Sequence, residues 1–95
     1  MEISFPRTEA RILPSWPVEI LAVVDRKAIR AAIDWSTIQR LTDDDSIDEA
    51  AVRRFIRDNR ERIELAIKAH LLAHGVPLAA QFLLTLDELA SVQPF

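Results

Sequence analysis

His70 and His74 stand four residues apart. At that spacing two imidazoles on one helix face can reach a single zinc ion. The zinc-protease arrangement also needs a glutamate directly after the first histidine, and Leu71 occupies that place. Two ligands are too few, and a third would have to come from a distant acid such as Asp87 or Glu88. Histidines close to a helix C-terminus already interact favourably with the helix dipole. The pair is therefore assigned that simpler role, with no metal and no cofactor expected.

A second concentration of chemistry is "RRFIRDNRERIE", residues 53–64, which holds five arginines. Arg53, Arg54, Arg57 and Arg60 are the candidate contacts to an anionic partner. Each arginine, however, has an acid four residues away on a helix: Glu49 for Arg53, Asp58 for Arg54 and Arg62, Glu61 for Arg57, Glu64 for Arg60. Such pairs stabilise a helix by about 0.2–0.5 kcal/mol each. A phosphate grip is short of competing acids, because each one repels the backbone the arginines attract. The formal charge of −3 points the same way. The segment is expected to be a solvated, salt-bridged face. An acidic protein or a nucleic acid bound through residues 53–62 is the alternative, with nucleic acid disfavoured.

Other chemistries lack their residues. There is no cysteine, so disulfides, thiol nucleophiles and zinc–thiolate sites are excluded together. Gly75 is the sole glycine, which excludes phosphate-cradling glycine loops. None of Ser4, Ser15, Ser36, Ser46 and Ser91 stands in a glycine-bearing nucleophile elbow. The acidic run Asp43, Asp44, Asp45, Asp48 and Glu49 lacks the alternating ligands and turn glycine of a calcium loop. No catalytic residue is assigned, and a small hydrolase with an unrecognised site stays an alternative.

The elements that must position these residues follow from periodicity. Ninety-five residues with 49% hydrophobic content are expected to make one domain, residues 1–95, around one core. Pro14 and Pro17 bracket Trp16 in an extended approach segment, preceded by a short edge strand at residues 2–5, and Trp16 is expected to anchor in the core. Residues 18–35 alternate as a hairpin with a four-residue loop over Asp25–Ala28. That register pairs Val24 with Ile29, Ala22 with Ala31, Ile20 with Ile33 and Val18 with Trp35, giving one wholly apolar face. Ser36 with Gln39, and Ser46 with Glu49, have capping-box spacing and open two helices.

From Ile47 to His74 apolar residues recur at steps of three and four, and Gly75 then closes the helix. Unbroken, that helix would measure about 42 Å, longer than the roughly 34 Å expected across a compact chain of this size. Asn59 also falls on its apolar stripe, where a polar side chain is costly. A kink or break is expected at residues 57–60, with Asp58 capping a new helix through Glu61 and Asn59 bonded to backbone. Residues 79–89 return to strand character, with Phe82, Leu84 and Leu86 alternating against Gln81, Leu83 and Thr85, and the last residues, 90–95, are expected to be loose. The N-terminus has no apolar signal segment and no stretch suits a bilayer span, so a cytoplasmic protein is expected.

The order of these pieces resembles a family of small bacterial proteins, the domain of unknown function 1488. The matching residues are Ile3–Pro6, Val18–Leu41, then Phe55, Asn59, Arg60, Ile63 and Glu64, then Phe82–Leu86. The resemblance covers most of the chain through short, apolar pieces. It departs at the hairpin turn, Asp25–Arg26–Lys27, where the family has glycine, and in the second strand, where the family has cysteine. What it implies is a compact α+β fold with helices on one face of an antiparallel sheet, a recurring Asn59–Arg60 pair at a helix junction, and no assigned activity.

The expectation as a whole is an α+β domain: an antiparallel sheet, made of the N-terminal hairpin plus the C-terminal strand, with two or three helices on one face. It acts as a non-catalytic interaction or regulatory module. Leu21, Val23 and Leu83 fall on the sheet face away from the helices and are the candidate interface of a homodimer; the alternative is that the N-terminal segment, with Phe5 and Trp16, folds back and covers this patch within one chain.

Overall fold

The alternation of residues 18–33 produces the central hairpin of the computed structural model, which describes residues 1–13 and 16–92. Strands β2 (Val18–Val24) and β3 (Lys27–Ile33) pair antiparallel, with Val18 opposite Ile33, Ile20 opposite Ala31 and Ala22 opposite Ile29. The register differs by two residues from the one expected, because the loop has two residues rather than four. Asp25 and Arg26 both take positive φ, 49° and 72°, as the tight hairpin turn that matches strand twist requires. Asp25 tolerates that conformation, and it is tied to the neighbouring chain. Its N–H donates to the Glu2 carbonyl at 2.9 Å, and its carboxylate accepts the Glu2 N–H at 2.8 Å. A shift of two leaves every side chain on its intended face. Val18, Ile20, Ala22, Val24, Ile29, Ala31 and Ile33 are all buried.

Strand β1 (Ile3–Ser4) pairs with the far end of β2, and Arg11 bridges to Glu19 at its near end. Phe5, between them, packs against the core beneath the Lys68 ammonium. Trp16 does not anchor in the core. It is 67% exposed, because the pairing of Arg11 with Glu19 directs the following chain over the outer surface. Pro14, Ser15 and residues 93–95, the loose end expected of the tail, lie outside the described residues.

Helix α1 (Trp35–Thr42) has Asp34 at its N-cap position, without a side-chain cap bond, and starts one residue before the expected Ser36, so Trp35 leaves the hairpin and opens the helix. It buries Ile38 and partly buries Leu41. Asp43 ends it in the left-handed region, with φ of 54°. Helix α2 (Glu49–Asp58) is capped by Asp48, whose carboxylate accepts the Ala51 N–H at 2.8 Å. Ser46 does not cap it. Its N–H and hydroxyl both donate to Asp44.

Helix α3 (Arg60–His74) follows after a single non-helical residue, Asn59, with φ −113° and ψ 16°. This is the break expected at residues 57–60. A straight helix over residues 49–74 would measure about 39 Å, longer than the 37 Å long axis of the molecule. The Asn59 side-chain amide donates to the Phe55 carbonyl at 3.0 Å, so the polar group on the apolar stripe is satisfied by backbone. Asp58 is not the cap, because backbone bonds from Asn59 to Phe55 and from Ile63 to Asn59 continue through the kink. Gly75 closes α3 with φ of 78°.

The chain returns as β4 (Gln81–Leu83), hydrogen-bonded to β3 in parallel, where an antiparallel partner was expected. The reversal follows from the connection: three helices intervene and carry the chain back across the sheet, as a parallel crossover requires. The strand stops after three residues because Thr85 and Glu88 form a capping box that opens α4 (Leu86–Ala90). This short helix was not expected, and it buries Leu89. The result is an α+β fold, a sheet of order β1-β2-β3-β4 with helices on one face. No helix among the described residues is long and apolar enough to cross a membrane.

Candidate functional site

The face of the sheet away from the helices carries Glu19, Leu21 and Val23 from β2, Ala28, Arg30 and Ala32 from β3, and Gln81 and Leu83 from β4. Leu21 and Val23 are half-buried, and Leu83 is 47% exposed. Leu83 lies beside Ala32, which in turn lies opposite Glu19, while Leu21 lies opposite Arg30. The three candidate interface residues therefore share one face, and Arg30 and Ala32 lie between Leu83 and Leu21. The approach segment also reaches this face. Leu13, Trp16 and Pro17 line a groove of about 640 Å³ together with Phe82 and Leu83, rimmed by Arg11, Glu19 and Arg30. Arg11 and Glu19 form an ion pair at 3.6 Å.

On the helical side, the four candidate arginines divide. Arg53, Arg57 and Arg60 line a cleft of about 280 Å³ with Arg7, Glu9 and Ile56, while Arg54 faces elsewhere. The expected helical pairs form for Arg53 with Glu49 at 3.5 Å and for Arg60 with Glu64 at 2.9 Å. Arg57 pairs with Asp58 at 3.9 Å rather than with Glu61, and Arg62 donates to Asn59 rather than to Asp58. The N-terminal segment adds two further bonds. Glu9 accepts from Arg53 at 3.2 Å, and the Thr8 carbonyl accepts from Arg60 at 3.3 Å. Arg7, distant in sequence, was not legible as a member of this group.

A third cluster forms between α3 and α4. His70 Nδ1 and Glu88 Oε2 lie 2.5 Å apart, and the His74 ring is 4.7 Å from that of His70. Phe82 stacks on His70 with ring centroids 4.0 Å apart and the two planes nearly parallel. The second carboxylate oxygen of Glu88 accepts from the Thr85 N–H and hydroxyl, at 3.0 and 3.1 Å. Burial raises the pKa of Glu88, but the bonds from His70 and Thr85 and the charge of His70 outweigh it, so the carboxyl lies below its ordinary value. Ser91 borders the same hollow, yet its hydroxyl donates to the Glu88 carbonyl at 2.9 Å instead of meeting His70. That geometry does not assemble a serine–histidine pair.

Comparison with known proteins finds no family model, no curated protein and no solved structure that matches this chain.

A further apolar surface, unassigned in the sequence, lies on the outside of α3 and the segment after it. Leu65, Leu72 and Leu78 are exposed there. Leu65 and Leu72 are seven residues apart and so lie along one helix stripe.

Proposed function

We propose that this protein is a non-catalytic interaction module that self-associates through the open face of its sheet. The observation that carries the reading is Trp16, held 67% exposed on a groove that it shares with Leu13 and Leu83. A large aromatic exposed beside other apolar side chains is the usual mark of an interface. The rim favours a second copy as the occupant. A twofold contact needs a surface complementary to itself, and this one has an apolar centre with both signs of charge around it. Arg30 has no carboxylate partner among the described residues, so a partner's Glu19 can meet it across the axis. The resemblance to the domain of unknown function 1488 proteins, and with it a bacterial setting, rests on the sequence alone and supplies no activity.

Sedimentation equilibrium at ~100 μM, well above the dissociation constants of stable pairs, tests the proposal. A dimer is expected for wild type and a monomer for Leu83→Asp and Trp16→Ala, with Leu72→Asp still dimeric. A monomeric wild type overturns self-association. A dimer lost in Leu72→Asp but kept in Leu83→Asp moves the contact to α3 and overturns the sheet-face reading.

A second reading is favoured by one observation, the arrival of Arg7 beside Arg53, Arg57 and Arg60. The cleft would then receive a carboxylate of an acidic partner. Glu9 and Glu64 remain inside or beside it, which argues for a protein acid over the repeated phosphates of nucleic acid. Binding of a labelled acidic peptide, abolished by Arg7→Glu with Arg57→Glu, is expected. Submicromolar binding to random duplex DNA at physiological salt, lost in the same variant, would replace this reading with a nucleic-acid one.

A further inference from the structure

The structure assigns to His70, His74 and Glu88 a binding site for a divalent transition ion of the zinc type, between α3 and α4. One nitrogen from each imidazole and one carboxylate oxygen all lie within 4.8 Å of one another. Around a tetrahedral zinc ion, with bonds of about 2.0–2.2 Å, ligand atoms are separated by about 3.3–3.5 Å. Small side-chain rotations close the wider separations, and the 2.5 Å contact between His70 Nδ1 and Glu88 Oε2 opens as the ion takes the place of the proton between them. The donor set, two nitrogens and one oxygen, suits zinc and leaves a coordination position open.

Two features of the surroundings single this cluster out from an incidental surface group. The first is orientation of the ligands by their neighbours. Thr85 occupies the other oxygen of Glu88 through both its N–H and its hydroxyl, which aims Oε2 at the histidines. Phe82 holds the His70 ring by stacking on it. Metal ligands are commonly fixed by such outer partners, whose loss weakens binding about 10–100-fold. The second is room. A hollow of about 200 Å³ faces the three ligands, walled by Ala66, Ala69 and Ala73, whose short side chains leave space and access for an ion with a bound water.

In the sequence Glu88 was one of two distant acids, with Asp87, that could supply the third ligand, 18 residues from His70. The capping box of α4 delivers it. An ion bound there would join α4 to α3 directly, and binding to the folded state alone raises thermal stability with the logarithm of ion concentration over dissociation constant.

The test uses the full chain, stripped with chelator and titrated with Zn²⁺ against a chromophoric competitor. One equivalent is expected to bind, with affinity falling at least tenfold in His74→Ala and in Glu88→Gln. Glu88→Gln keeps an oxygen for Thr85, and His74 makes no hydrogen bond that folding needs, so both variants should keep the wild-type far-ultraviolet circular dichroism. Thr85→Ala should weaken binding by a smaller factor. Co²⁺ in place of zinc should give visible absorption of the intensity expected for four-coordinate nitrogen and oxygen ligation, absent in His74→Ala. The thermal midpoint should rise with Zn²⁺ in wild type and return on chelation. Failure of the stripped wild type to take up zinc below millimolar concentration overturns the assignment. Uptake that is the same in wild type and His74→Ala also overturns it, by placing the ion elsewhere.

Discussion

The two-residue turn at Asp25–Arg26 makes opposite predictions for two adjacent substitutions. Arg26 has φ of 72°, and an L-residue in the left-handed region costs about 1–2 kcal/mol relative to its preferred conformations. Arg26→Gly removes that strain and loses about 0.4–1 kcal/mol through greater freedom of the unfolded chain. The net gain is about 0.5–1 kcal/mol, or several degrees in the thermal midpoint of a chain this long. Lys27 is the first residue of β3 and pairs with Val24. Lys27→Gly therefore places glycine in a strand and should cost about 0.5–1 kcal/mol. Urea unfolding of both variants measures the difference as a change in midpoint at constant slope. If the loop instead had four residues, Arg26 would take an ordinary turn conformation with negative φ, and Arg26→Gly would destabilise. Loss of stability in Arg26→Gly thus refutes the register, and with it the pairing of Leu21 with Arg30 and Val23 with Ala28 on the open face.

Two further outcomes follow from α4. Leu89 is buried at the end of the chain's last described helix, so Leu89→Ala should cost about 2–5 kcal/mol in urea unfolding; a cost below about 1 kcal/mol would mean that α4 is not docked. Glu88 has a folded pKa below its ordinary value of 4.5, so its contribution is complete above pH 4.5 and is lost as pH falls through the folded value. In chelator-treated protein, the stability gap between wild type and Glu88→Gln should hold at pH 5 and shrink below pH 4.5; a gap that widens on acidification would contradict the sign.

Much of the fold was legible because burial imposes period. The hairpin faces follow from strict alternation between Val18 and Ile33, and they survive an error of two in the register. The break at Asn59 was legible from length and from one polar residue on an apolar stripe. The errors arose where local signals competed. The Thr85–Glu88 capping spacing was present in the sequence but was not read, and the alternation of Phe82, Leu84 and Leu86 drew the strand through the start of a helix. The same competition misplaced the caps of α1 and α2, where Asp34 and Asp48 stand two residues from serines with the same spacing. A four-residue loop was preferred because a two-residue turn in the expected register, at Arg26–Lys27, would have needed positive φ from both residues, and the hydrogen bonds between Glu2 and Asp25 that hold the tighter turn involve the residue before β1.

The candidate sites were less legible, for a reason that their residues share. Each is completed by a side chain from another part of the chain: Trp16 for the sheet groove, Arg7 for the arginine cleft, Glu88 for the histidine pair. Spacing along a helix predicts which of its own residues share a face, as it does for His70 with His74 and for Arg53 with Arg57 and Arg60. It carries no information on what packs against that face. Arg7 reaches the cleft because β1 pairs with one end of β2 and Arg11 with the other, so residues 5–10 arch over the helices between two fixed points. Glu88 reaches His70 because the parallel strand β4 ends under α3 and α4 starts there. In both cases the position of the functional side chain is set by strand pairing, so a change that shifts the pairing should disturb the site without touching any residue in it. Changes in the hairpin turn should therefore alter anion binding at the cleft, through Arg7, before they alter the histidine cluster.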